Sequence, residues 1–175
     1  VLLGNGFATG ASYPTGAAPE ALALGDFDGN LSLDVAVANG GGNSLSVFLN
    51  DGAGQFTSGE VAGVGTQPAA LDAADFNRDG LADLAVVLSG DKAIGVLRAQ
   101  SGGQFSAAQE QKIFFQKTPS AIQAENFDGE HGPDALVGFA DDYKLGVCTS
   151  DSGGTLAVAF SIDTHHIQVL GRHGL

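Results

Sequence analysis

Residues 75–88 read "DFNRDGLADLAVVL". The first nine place oxygen-bearing side chains at positions 1, 3, 5 and 9, namely Asp75, Asn77, Asp79 and Asp83, and an apolar run follows at once. A loop of oxygen donors feeding "LAVVL" (84–88) predicts a polar turn followed by a buried strand. The pairing recurs on both sides. Upstream, "DFDGNLSLD" (26–34) precedes "VAVA" (35–38), and downstream "NFDGEHGPD" (126–134) precedes "ALVGF" (135–139). The loops start 49 and then 51 residues apart. Phe7, Phe56 and Phe105 are spaced by 49 and 49, and Pro19, Pro68 and Pro119 by 49 and 51. Residues 7–55 laid over 56–104 without gaps share Gly16/Gly65, Phe27/Phe76, Asp34/Asp83, Val37/Val86 and Val47/Val96. Self-similarity at a fixed period is the mark of a repeat architecture.

Each unit parses alike. In the first, "PEALALG" (19–25) is a short apolar stretch opened by proline, and the acidic loop and "VAVA" follow. "NGGGN" (39–43) is a turn, because glycine and asparagine accept positive φ. "SLSVFL" (44–49) is a strand, "NDGAGQ" (50–55) a hairpin turn, and "FTSGEV" (56–61) a weaker fourth strand, polar enough to lie outermost. "PAALDAADF" (68–76) is rich in alanine, yet its loop leaves no room for two helical turns, so it reads as strand. The fold class is therefore all-β, a β-propeller of four-stranded antiparallel blades of about 50 residues. A β-helix coil is too short for this period, and an immunoglobulin-like sandwich lacks the self-similarity. The units run approximately over 7–55, 56–104 and 105–155, with partial units at both ends, so about 3.5 blades fall in one partial domain, 1–175. A ring needs more. We read the chain as a fragment; the rival reading is a homodimer completing a seven-bladed ring.

Composition limits the partners. Seven basic and 20 acidic side chains give a net charge of −13, which repels nucleic acid and anionic membranes and attracts multivalent cations. At 43% hydrophobic residues the chain is too apolar for a disordered acidic tail. No apolar run approaches 18 residues, so no membrane span is expected. Cys148 is the one cysteine, which excludes an internal disulfide and leaves the redox compartment open, since calcium can replace disulfides as an extracellular staple. The sequence opens on "VLLGNGF" without methionine and reads as a mature or excised piece.

The acidic loops suit a hard cation, which takes six to eight oxygens from carboxylates, amides and carbonyls. Loop two offers Asp75, Asn77, Asp79, the carbonyl of Leu81 and Asp83, with Gly80 at position 6 for a sharp bend. Loop one offers Asp26, Asp28, Asn30, the carbonyl of Ser32 and Asp34. Its position 6 is Leu31, which resists positive φ, so a differently drawn turn with slack at Gly29 is expected. Loop three offers Asn126, Asp128, Glu130, the carbonyl of Gly132 and Asp134; its long Glu130 and His131 at position 6 make it the weakest. This ranks loop two first, loop one second and loop three last. Nine of the 20 acids sit in these 27 residues, and without a counterion they repel one another. The alternative is an Asx-turn, in which Asp and Asn bond only their own backbone.

Proline, apolar strand, "DFNRDGLAD" and "LAVV" together resemble the FG-GAP/VCBS repeats of calcium-binding, integrin α-subunit-like propellers. The resemblance covers the chain to about residue 160. It implies calcium at the residues just named, a β-propeller, a secreted or cell-surface address, and a protein or glycan ligand bound by an adhesion or structural scaffold. Loops one and three depart from the pattern at position 6. No nucleophile elbow, P-loop or dinucleotide motif occurs, so no catalytic residue is expected. Cys148 aligns with Phe48 and Leu97 and reads as a core residue, and the adjacent His165 and His166 face opposite sides of a strand. The alternative is an accessory propeller of a secreted polysaccharide- or lipid-degrading enzyme, or a lectin. The lectin is weakened by the absence of Trp and by only two tyrosines, Tyr13 and Tyr143.

Overall fold

The computed structural model describes residues 12–106, 111–141 and 144–163. Expectations placed on Phe7, Tyr143, His165, His166, the N-terminal end unit and the chain beyond residue 163 lie outside them. All the regular structure among the described residues is β. The first blade is β1 (Pro19–Gly25), β2 (Asp34–Asn39), β3 (Ser44–Asn50) and β4 (Phe56–Ala62), paired antiparallel in that order. The second holds β5 (Pro68–Ala74), β6 (Asp83–Leu88) and β7 (Ala93–Leu97). A small hairpin of β8 (Ala99–Gln100) and β9 (Gln104–Phe105) then intervenes, and β10 (Gln111–Phe114) completes the sheet against β7. The third is β11 (Pro119–Glu125), β12 (Asp134–Phe139), β13 (Lys144–Ser150) and β14 (Leu156–Asp163). These are propeller blades, and the three sheets do not close a ring. Blade boundaries thus fall at the prolines rather than at the phenylalanines that mark the sequence period, because Phe56 opens the outer strand of blade one and Phe105 ends the hairpin that follows the third strand of blade two.

The period is visible in backbone detail. Pro19 pairs with Asn39, Pro68 with Leu88 and Pro119 with Phe139, and each first strand then skips one residue in a bulge. Proline has no N–H to give a ladder, which confines it to the start or bulge of a strand. In blade two the fourth strand starts six residues later than the repeat predicts, because the hairpin β8–β9 takes up the intervening chain.

Burial follows the stacking of blades. Every residue of β6 is buried, as its continuous apolar run predicts for a strand covered on both faces. In β2, Ala36 and Ala38 are buried while Val35 and Val37 are partly open. One core lies between blades one and two around Phe27, Leu45, Leu84 and Leu88. A second lies between blades two and three around Phe76, Ile94, Val137 and Cys148. The loop phenylalanine at position 2 plugs each gap. Phe27 and Phe76 are 0% and 1% exposed, whereas Phe127 of blade three is 44% exposed, having no described sheet beyond it. Phe27 also meets Phe105 edge-on at 5.4 Å. Blades two and three are further joined where Asp72 on β5 accepts the Ala124 N–H at 2.7 Å and the Gln123 side-chain amide at 2.7 Å.

Asp91, in the turn after β6, accepts the Thr66 N–H at 3.2 Å and the Lys112 ammonium at 3.0 Å, tying β10 to the inter-blade link. The Thr66 hydrogen bonds, aided by Lys112, hold its carboxyl below the usual range. A depressed carboxyl stabilises the fold above the unfolded value, near pH 4, and the gain is lost as pH falls through the lower folded value. Asp91→Asn is therefore expected to lower stability at pH 7 and to flatten the stability curve below about pH 4, as urea melts across pH would record.

Candidate metal centre

The three acidic loops join the first and second strands of their blades and lie at one end of the stack. The Asp26 carbonyl accepts the Ala82 N–H at 2.9 Å, and the Arg78 side chain donates to the Glu130 carbonyl at 3.3 Å. Position 9 has one job in all of them. Asp34, Asp83 and Asp134 are 0%, 0% and 1% exposed. One oxygen accepts the N–H of the loop phenylalanine, at 2.8 Å for Phe27, 3.1 Å for Phe76 and 3.0 Å for Phe127. The other accepts an N–H at or just beyond the end of the third or corresponding strand, at 2.8 Å from Asn50, 2.8 Å from Ala99 and 2.9 Å from Ser150. This aspartate is a clasp that sets the loop on the sheet, using acceptor capacity that a buried carboxylate must fill.

The rest of the loop differs between blades. In loop one, Asp26 accepts N–H groups from Gly29 at 2.8 Å, Asn30 at 3.1 Å and Leu31 at 2.8 Å. Asp28 accepts the Asn30 N–H at 3.0 Å. These bonds curl the chain so that oxygens of Asp26, Asp28 and Asp34 lie within 4.8 Å of one another. Leu31 corrects the expectation placed on it. It adopts a φ of 64°, and Gly29 one of 86°, so the turn is drawn as in loop two, where Arg78 and Gly80 have 61° and 92°. Each of these loops needs two left-handed residues and supplies glycine for one. Leu31 tolerates the strain because its side chain is 94% exposed and its N–H is held by Asp26.

Loop two repeats the backbone bonds, with Asp75 accepting from Asp79 at 3.1 Å and from Gly80 at 2.9 Å. Its clasp has an added partner: Arg98 Nη1 lies 2.9 Å from Asp83 Oδ2. Among the described residues the close carboxylate triad is that of loop one. Loop three bends only at position 4, Gly129, with φ 75°; His131 is not left-handed. Asn126 turns its amide nitrogen to the Glu130 carbonyl at 3.0 Å and its oxygen to the Gly129 N–H at 2.7 Å, while the Glu130 side chain is 73% exposed, 4.0 Å from His131.

Charge sharpens the contrast. Burial pushes the Asp34 carboxyl above its usual range, and the negative Asp28 and Asp26 push the same way against the two N–H donors. Burial also raises Asp83, but there Arg98 pulls it back. Among the described residues no basic side chain pairs with Asp26, Asp28 or Asp34. The three carboxylates are oxygen donors, the kind that fits a hard cation such as calcium; the Asn30 side chain turns its amide nitrogen to Asp28 at 3.2 Å and its oxygen to the Ser32 N–H at 2.7 Å. Arg98 was invisible to the motif reading. The signal was a lone cation ending the apolar run "AIGVL", where blade one has Leu49.

Residues 26–86 match the family model of the FG-GAP-like repeat. The repeat takes in loops one and two and the strands between them. The chain is also similar in fold to the crystal structure of a protein from Lactobacillus plantarum, at a TM-score of 0.56 and 13% identity, over 82% of this chain and 41% of that one. The chain thus spans about two fifths of that protein's length. No curated protein matches the sequence.

Two further features among the described residues bear on chemistry. Cys148 is fully buried on β13, and burial pushes its thiol up to about 11, so it is a core residue and not a nucleophile at neutral pH. A groove of about 470 Å³ between β3, β4 and the β8–β9 hairpin is lined by Val47, Leu49, Val61, Gly103 and Phe105 with polar uncharged residues, and among the described residues no titratable side chain lines it. No helix among the described residues is long and apolar enough to cross a membrane.

Proposed function

We propose that the protein is a calcium-stabilised, non-catalytic FG-GAP-like propeller module that acts as a binding or structural scaffold outside the cell. The observation that carries this is the convergence of Asp26, Asp28 and Asp34 in a loop where no basic side chain among the described residues pairs with them. Calcium would supply the missing charge and fix the end of the blade, with Asn30 and the Ser32 carbonyl completing the oxygen set. Such loops suit the millimolar calcium of extracellular fluids, where modules of this kind bind in the 10⁻⁴–10⁻³ M range, roughly. A ligand of protein or glycan type would bind a face of the propeller, the uncharged groove between β4 and the β8–β9 hairpin being one candidate.

The test is melting in chelator and in calcium. With calcium at about 100 times its Kd, one site adds about 2.7 kcal/mol, which raises the Tm by roughly 5–10 °C for a chain of this size. The double variant Asp26→Asn/Asp28→Asn is expected to lose that rise. A melt that is the same in both media would overturn structural calcium at loop one.

A further inference from the structure

Arg98 separates the second acidic loop from its sisters. Strand register makes Phe48, Leu97 and Cys148 equivalent, since they pair with Val35, Leu84 and Ala135, so Arg98 corresponds to Leu49 and Thr149. One sister is apolar and the other neutral. Arg98 reaches back to its own loop through Nη1, 2.9 Å from Asp83. Its other terminal nitrogen, Nη2, donates to the Gly154 carbonyl, in the turn between β13 and β14 of blade three. The guanidinium carbon stands 6.0 Å from the centre of the Phe76 ring, and the side chain is only 21% exposed. A guanidinium fork with two acceptors and an aromatic face is held by geometry as well as by charge.

We propose that Arg98 is the built-in counter-cation of the second loop: it supplies there the positive charge that loop one takes from a metal ion, and it locks that loop onto blade three. The statement about loop one rests on the calcium reading above; the assignment of Arg98 rests on its own contacts. Two of the three loops that one sequence motif marks as alike thereby have the charge of their buried aspartate offset by different means, one by a free ion and one by a side chain. The second needs no calcium to fold.

The test uses Arg98→Leu, which installs the residue type of blade one, Arg98→Lys, and the double variant Asp83→Asn/Arg98→Leu. Each is melted in EDTA and in calcium chloride beside the parent chain. In EDTA, Arg98→Leu is expected to lose roughly 5–10 °C, because it strands a buried carboxylate, and calcium is expected to return at least half of the loss. Arg98→Lys keeps the charge without the fork and falls less. If Arg98→Leu melts within about 1 °C of the parent in EDTA, or loses as much in calcium as in EDTA, the proposal is wrong. If Arg98→Leu folds in neither medium, the double variant decides. Recovery in EDTA on removing the Asp83 charge supports charge compensation, and no recovery overturns it. Failure of the loop-one reading shows elsewhere, as a parent chain whose melt ignores calcium.

Discussion

Asp83→Ala is expected to destabilise the protein by about 3–5 kcal/mol, more than the loss of any exposed carboxylate in the same loop. Asp83 is fully buried and accepts three hydrogen bonds, from the Phe76 and Ala99 N–H groups and from Arg98. Alanine leaves the buried Ala99 N–H without its acceptor, worth about 1–3 kcal/mol, reduces the Phe76 N–H to its bond with the Ala74 carbonyl at 3.0 Å, and strands the guanidinium as well. The terms do not simply add, since the loop relaxes and Arg98 can turn toward solvent. At about 2–4 °C per kcal/mol the Tm falls by roughly 10 °C, which calorimetry reads directly. Asp79→Asn, which changes an exposed side chain of the same loop, is expected to stay within about 1 kcal/mol when calcium is chelated. Equal melts for the two would show that position 9 is not the clasp.

Gly154→Ala is the second large effect. Gly154 has a φ of +72°, and a Cβ there would overlap the Phe76 carbonyl and stand 2.9 Å from the Asn77 nitrogen. These are backbone atoms of the neighbouring blade and cannot rotate away. The left-handed conformation costs alanine about 1 kcal/mol and the overlap about 1–3 more, so a loss of roughly 2–4 kcal/mol is expected in urea melts. Gly54→Ala is the matched control, because its φ is +87° with nothing within 4 Å of an added Cβ. That variant shows the conformational cost alone. Should Gly154→Ala be no worse than Gly54→Ala, blade three does not press on loop two as described.

Both substitutions act at one junction, where the end of blade two meets the last hairpin of blade three. Loop two has the more regular motif, yet the close carboxylate triad among the described residues is that of loop one. Asp75, Asp79 and Asp83 repeat the spacing of Asp26, Asp28 and Asp34 in charge though not in position, since the second loop has Asn77 where the first has Asp28. The spacing could not show that a cation from the third strand would reach Asp83.

Much of the fold was legible in residue order. The proline spacing placed the first strand of each blade, and the polar sequence of β4 marked it as an edge. The unbroken apolar run of β6 announced a strand covered on both faces, and Cys148 fell in the core where alignment with Phe48 and Leu97 put it. These features are local or periodic, so a single chain displays them. Leu31 was misread because side-chain preference argues against positive φ, whereas Asp26 fixes the turn by binding its N–H.

Sequence by itself determined the blade, its period and the nine-residue oxygen loops, because strand pattern and loop spacing are properties of neighbours along the chain. Tertiary structure decided which carboxylates meet one another and which meet Arg98. The reason is reach. Arg98 is 15 residues from Asp83 along the chain and 56 from Gly154, and only the stacking of blade three on blade two brings those two acceptors to one guanidinium.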